Sequence, residues 1–330
     1  MAAIKGVAPY TDVDNFLPPY SGNTEEGRPR VLRVAADFVT CTNCEWPTAP
    51  GSVCARWQRA ARHCALPAPS TTAPRRPAPP TALTPTAPAP RAGFHGFVGV
   101  RFMQQAIDLF HERHPDTQLQ IAVSRQPYSW AGDNRDEDLQ GRFTQFAKGG
   151  FQQERAARGN EDAEFIPLDV LGEQAGVSYK HGVEMVWQPV DSQRILLWAA
   201  RFGKQEEIAD EIGKLHFEEV ESNADRETLL KAVAAVGLDV AAAEAFLDTD
   251  EMVDRIWWSY GATINYYGIK EIPCFVLNHH NSPGPFSGFY RPTDPAPYIL
   301  YGATPAEDVM DALELIREEW EAADGQAAKL

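Results

Sequence analysis

Two cysteines three positions apart, Cys41 and Cys44 in FVTCTNCEW (residues 38–46), form the chain's one C-x-x-C. A pair at this spacing supports dithiol exchange when its first sulfur sits at a helix N-terminus. Backbone N–H groups and the helix dipole there stabilise the thiolate, and the second cysteine resolves the mixed disulfide. On that reading Cys41 is the nucleophile and Cys44 the resolving thiol. A second reading is zinc. Cys41, Cys44, Cys54 and Cys64 give C-x2-C-x9-C-x9-C, with His63 beside the last, and four soft ligands suit a tetrahedral ion. The second pair lacks the short spacing of zinc sites, so no metal is assigned. A third reading is a spent motif, kept at a strand end with no helix to activate it.

Other residues with chemical potential have simpler roles. Cys274 reads as a small buried strand residue. His279 and His280 precede Asn, Ser, Pro and Gly, which marks a surface loop. Trp257 and Trp258 lie in a helical stretch and read as packing between subdomains.

The bulk composition narrows the classes. The chain has 330 residues, with 46 acidic against 30 basic residues and a formal charge of −16. That disfavours nucleic acid or an anionic membrane as partner. No apolar run reaches the roughly 20 residues a bilayer span needs, and residues 1–16 lack a secretory pattern. The expectation is a soluble, cytoplasmic protein. Five cysteines, an odd number, do not suggest a secreted disulfide scaffold.

The elements that must position Cys41 come next. Residues 1–29 read as a flexible leader and 31–38 as a buried first strand. From 46 to 93 there is no Asp, Glu or Lys, and 11 of the 26 prolines fall between Pro47 and Pro90. Such a segment buries little apolar surface. It reads as a surface insertion or as translated intron, and it separates the C-x-x-C from the next helix. That helix opens near Phe97, with Phe102, Met103, Ala106, Ile107, Leu109 and Phe110 at helical spacing, and ends at Pro115. Residues 118–123 alternate as a second strand, giving a βαβ unit with parallel strands. A further helix is expected over 138–147. Apolar stripes at Ile195/Leu196/Ala199, Ile208/Ile212/Leu215, Leu229/Leu230/Val233/Val236, 241–246 and 253–267 mark a helical block. Strands return at 273–277 and 298–300, and Thr304-Pro305 opens a last helix.

The stretch GIKEIPCFVL (268–277) resembles the G-V-x-G-V-P-x-F-V-I segment of the DsbA-like thioredoxin proteins, in the FrnE-type and 2-hydroxychromene-2-carboxylate isomerase branch. FVGVRFMQQAI (97–107) is similar to the start of that family's active-site helix, and YGATPAE (301–307) to its C-terminal helix start. The resemblance covers roughly residues 30–44 and 96–318. It implies an α/β fold: a thioredoxin-like sheet from 30–45, 96–128 and 268–320, with a mainly helical domain at 129–267 inserted into it. Residues 46–95 are then an insertion and 321–330 a tail. It further implies a thiol–disulfide oxidoreductase with Cys41 and Cys44 as dithiol and with Ile272 and Pro273, a cis proline in the family, presenting backbone to the substrate. No cofactor is required. The alternatives are a glutathione-dependent isomerase-like enzyme, with glutathione as co-substrate, and a binding protein with a disrupted site. The partners implied are a thiol or disulfide substrate protein or glutathione, with a homodimer also open. One departure stands out. The family's helix is immediately preceded by C-P-W-C, whereas here Gly93-Phe-His-Gly96 holds that place.

Overall fold

The computed structural model describes residues 30–41, 93–129, 132–135, 142–144, 168–186, 188–266, 269, 272–279 and 298–327. Strand β1 (Arg30–Thr40) is followed by helix α1 (Gly93–Arg113) and strand β2 (Thr117–Pro127). Strand β5 (Cys274–His279), strand β6 (Tyr298–Tyr301) and helix α8 (Ala306–Ala327) complete this unit. The four strands form one sheet in the order β2-β1-β5-β6. β1 runs parallel to β2 and antiparallel to β5, and β5 is antiparallel to β6.

β1 is therefore paired on both edges, and its composition follows from that. Leu32, Val34, Ala36 and Phe38 alternate onto one face and are at most 3% exposed, the period-two pattern of a strand with one face in a core. α1 meets that face with Met103, Ala106 and Phe110, and α8 with Val309, Leu313, Ile316 and Trp320, both at helical spacing. The opposite face carries a smaller cluster of Val39, Cys41, Tyr128, Ile269, Ile272, Cys274 and Val276.

Between β2 and β5 lies the helical block: α2 (Leu168–Gln174), α3 (Val190–Ala200), α4 (Gln205–Phe217), α5 (Arg226–Ala235), α6 (Val240–Leu247) and α7 (Val253–Gly261). A π-helical turn, Ala262–Tyr266, continues α7. The block has its own core, in which Ile195 and Trp198 meet Ile212, Leu229, Val233 and Phe246. The fold is thus a thioredoxin-like α/β sheet with a helical domain inserted into it.

Several details differ from the sequence reading. The helix expected over 138–147 gives way at its centre to strand β3 (Arg142–Thr144), paired antiparallel with β4 (Glu184–Val186). Arg142 reaches Glu184 at 3.3 Å and Asp225 at 2.7 Å, so distant partners override local propensity. β1 runs to Thr40 instead of Phe38, because Val39 pairs with Cys274 and Thr40 with Pro127. α1 begins at Gly93, four residues before the expected opening at Phe97. Of the two tryptophans, Trp257 packs beside Leu197 and Tyr260, while Trp258 is 45% exposed. Thr304 donates its hydroxyl back to the Tyr301 carbonyl, at 3.1 Å, ahead of α8.

Candidate functional site

Cys41 follows the last residue of β1 and is 3% exposed. It is disulfide-bonded, whereas Cys274 carries a buried thiol. The partner of Cys41 therefore lies outside the described residues, as do Cys44, Cys54, Cys64, His63 and His280. His279 is the last residue of β5, opposite Val34. Among the described residues no group of three or more His, Cys, Asp or Glu converges as metal ligands. Nor is any described helix long and apolar enough to cross a membrane.

The first turn of α1 comes directly against Cys41. A Cβ placed on Gly96 would lie 3.5 Å from Thr40 Cβ and 3.7 Å from the Cys41 carbonyl oxygen. Gly93-Phe-His-Gly96 thus opens the helix, and Cys41 sits beside that opening although some fifty residues of chain separate them. The first turn of α1 carries no acidic side chain, so nothing there opposes the positive end of the helix dipole.

The other wall is the loop before β5. The Ile272–Pro273 peptide bond is cis. Val39 pairs with Cys274; one and two steps further in that antiparallel register, Pro273 falls beside Thr40 and Ile272 beside Cys41. Cys41 and Ile272 indeed share one buried cluster. A Cβ on Gly99, one turn along α1 from Gly96, would lie 3.4 Å from the Pro273 ring. Pro273 has no N–H to offer, and its carbonyl accepts the Gly302 N–H at 2.8 Å. Tyr128 belongs to the same cluster, and burial pushes its hydroxyl well up, so it stays a neutral phenol.

The helical block closes the third side. A cavity of about 30 Å³ is lined by Cys41, Gly96, Phe97 and Arg125 and by Asp210 and Ile212 of α4, among others. The ring of Phe97 lies flush on α4, where a Cβ on Gly213 would come within 2.3 Å of it. Arg101 of α1 pairs with Asp210 at 2.6 Å. Arg125, at the end of β2, donates to both carboxylate oxygens of Glu206 of α4, from Nε at 2.7 Å and from Nη2 at 2.8 Å. Its Nη1 also donates to Thr40 Oγ1 at 3.3 Å, and Gln193 Nε2 donates to the Thr40 carbonyl at 3.4 Å. The residue just before Cys41 is held from both the sheet and the helical block.

The geometry therefore brings Cys41, Ile272 and Pro273 together. The sequence reading missed Arg125, Glu206, Gln193 and Gly213. Only Arg125 left a trace, as a lone cation in the strand QIAVSRQP.

No family model and no curated protein matches the sequence. The backbone does match a solved structure, a Streptomyces coelicolor protein described as a probable DsbA oxidoreductase. The TM-score is 0.51 at 18% identity, over 87% of this chain and 91% of that one. The chain has a DsbA-like thioredoxin fold. Weaker similarities reach a 2-hydroxychromene-2-carboxylate isomerase, with TM-score 0.41 and 9% identity over 89% of this chain and 98% of that one. They also reach the cytosolic disulfide reductase DsbM from Pseudomonas aeruginosa, solved with glutathione. There the TM-score is 0.33 at 15% identity, over 56% of this chain and 83% of that one. On the DsbA-like fold of this chain, Cys41 occupies the junction of β1 and α1.

Proposed function

We propose that the protein is a thiol–disulfide oxidoreductase, with Cys41 as the reacting sulfur, Cys44 as its dithiol partner and the Ile272–Pro273 loop as the surface that holds the substrate. One observation carries this reading. Cys41, already disulfide-bonded, lies between the opening turn of α1 and the cis Ile272–Pro273 bond.

The exchange balances without a cofactor. A substrate thiolate attacks Cys41 Sγ, and the bond to the second cysteine breaks. That cysteine leaves as a thiolate and takes up a proton. A second substrate thiolate then attacks the substrate sulfur of the mixed disulfide and releases Cys41 as a thiolate. The substrate gains a disulfide and the protein two thiols. The same steps reversed reduce a substrate disulfide. The opening turn of α1 favours Cys41 as the leaving and attacking thiolate. Ile272 would pair with an extended substrate as an added strand does.

The test is dithiol-dependent reduction of insulin. Cys41→Ser is expected to abolish turnover, with the circular dichroism spectrum unchanged. Equal rates in the two proteins would overturn the assignment.

A further inference from the structure

The Arg125–Glu206 pair lies outside the dithiol and its substrate loop, yet it borders the same cavity as Cys41. Arg125 lines that cavity directly, and its Nη1 holds the hydroxyl of Thr40, the residue before Cys41. The two partners are not equally placed. The Arg125 side chain is 9% exposed and that of Glu206 is 33% exposed. Water screens the carboxylate more than the guanidinium, so the pair presents a residual positive field to the cavity.

Among the described residues, the other groups around Cys41 do not cancel that field. From α4, Asp210 is held by Arg101 at 2.6 Å and by Lys214 at 2.9 Å. From α1, His95 sits in the opening turn, 8% exposed, and Arg101 is engaged with Asp210. Next to β2, Tyr128 stays uncharged because burial raises its hydroxyl. The β5 side contributes the apolar side chain of Ile272 and the buried Cys274.

We propose that Arg125 and Glu206 act together as positioning residues that set the reactivity of Cys41, Arg125 favouring its thiolate and Glu206 restraining it. The arrangement makes the helical block a regulator of the sheet's chemistry, because Glu206 stands in the first turn of α4 and Arg125 at the end of β2. Any shift of α4 away from the sheet would loosen the carboxylate and strengthen the field on Cys41. This inference rests on Cys41 being the reacting sulfur.

The experiment uses the reduced full-length chain. The rate of Cys41 alkylation by iodoacetamide is followed against pH, with the Cys41 peptide resolved by mass spectrometry. Glu206→Gln, which keeps shape and removes charge, should move the profile to lower pH and raise the rate just below neutrality by about fivefold. Arg125→Gln should move it to higher pH, with a similar fall in rate. Arg125→Lys should stay near the unmodified protein. A purely structural role would move Glu206→Gln and Arg125→Gln in the same direction. Profiles that shift together, or not at all, overturn the proposal; if Arg125→Gln does not fold, an unmoved or raised profile in Glu206→Gln does so alone. Should Cys41→Ser retain full insulin turnover while the opposite shifts persist, only the enzymatic reading fails.

Discussion

At Gly99 the packing leaves room for a hydrogen and little else. A Cβ there would stand 2.8 Å from Phe275 Cζ and 3.4 Å from Pro273. The Phe275 ring cannot swing aside, because it is 1% exposed and edge-on to Phe38 at 4.8 Å. Gly99→Ala must therefore push α1 off the loop that faces Cys41. The expected cost is about 1–3 kcal/mol, read as a lower urea midpoint, with insulin turnover falling further than stability alone accounts for. A substitution without effect on either would mean that α1 and the Pro273 loop are not rigidly apposed. Gly99 was legible in the sequence only through the resemblance of FVGVRFMQQAI (97–107) to the start of the family's active-site helix. Arg125 was not, because its partner Glu206 lies 81 residues away and no local pattern joins them.

Among the elements, the helical block shows best what stripes reveal and what they hide. The apolar spacing of α3, α4 and α5 marks their buried faces directly. What ties α3 to the end of α6 is a buried polar side chain. Arg194 of α3 is 3% exposed. Its Nη2 donates to the Phe246 carbonyl at 3.1 Å and to that of Thr249, and its Nε donates to the Glu251 carbonyl at 2.9 Å. The end of α6 and the turn after it thus find donors for carbonyls that no helix can satisfy. Asp191 pairs with Nη1 at 2.7 Å. Arg194→Ala leaves the Phe246 carbonyl with the Thr249 N–H and hydroxyl but takes the guanidinium from the Thr249 and Glu251 carbonyls, and should cost about 3 kcal/mol. Arg194→Lys keeps the charge but not the fork, and should recover less than half of that. Equilibrium urea unfolding of the three proteins decides it, and equal midpoints would show that water replaces the guanidinium. By sequence alone Arg194 sits on an apolar stripe as an anomaly. The same limit explains the missed β3–β4 pair, where short strands meet only through contacts forty residues apart.

For the whole molecule the clearest consequence is its response to acid. His216 is fully buried in α4, where its Nδ1 accepts the Asn223 N–H at 3.2 Å. Burial pushes its imidazolium down from 6.5 to about 3. Above pH 6.5 the ring is neutral in the folded and unfolded chains alike, and it contributes nothing to the pH dependence. Below that value the unfolded chain takes up a proton that the folded chain refuses until about pH 3. Stability then falls by about 1.4 kcal/mol per pH unit through that window. Glu314 acts lower. Burial alone would raise it, but hydrogen bonds with His114 and Arg317, at 2.8 and 3.0 Å, hold it below its ordinary 4.5. Its contribution is present above pH 4.5 and is lost only as the pH falls through the lowered value. The interval between about pH 6.5 and 5 thus belongs to His216 rather than Glu314. His216→Gln keeps an acceptor for Asn223 but cannot titrate. It should be less stable than the unmodified protein near pH 7.5, with the gap narrowing by about 2 kcal/mol at pH 5. Urea midpoints measured at both pH values give the comparison, and parallel curves would show that His216 is hydrated in the native state. The proposed reactive sulfur of Cys41 would feel the same transition, because α4 carries both His216 and the Glu206 that faces Arg125. In the reduced chain, acid that loosens α4 should therefore expose Cys41 to alkylation before the sheet unfolds.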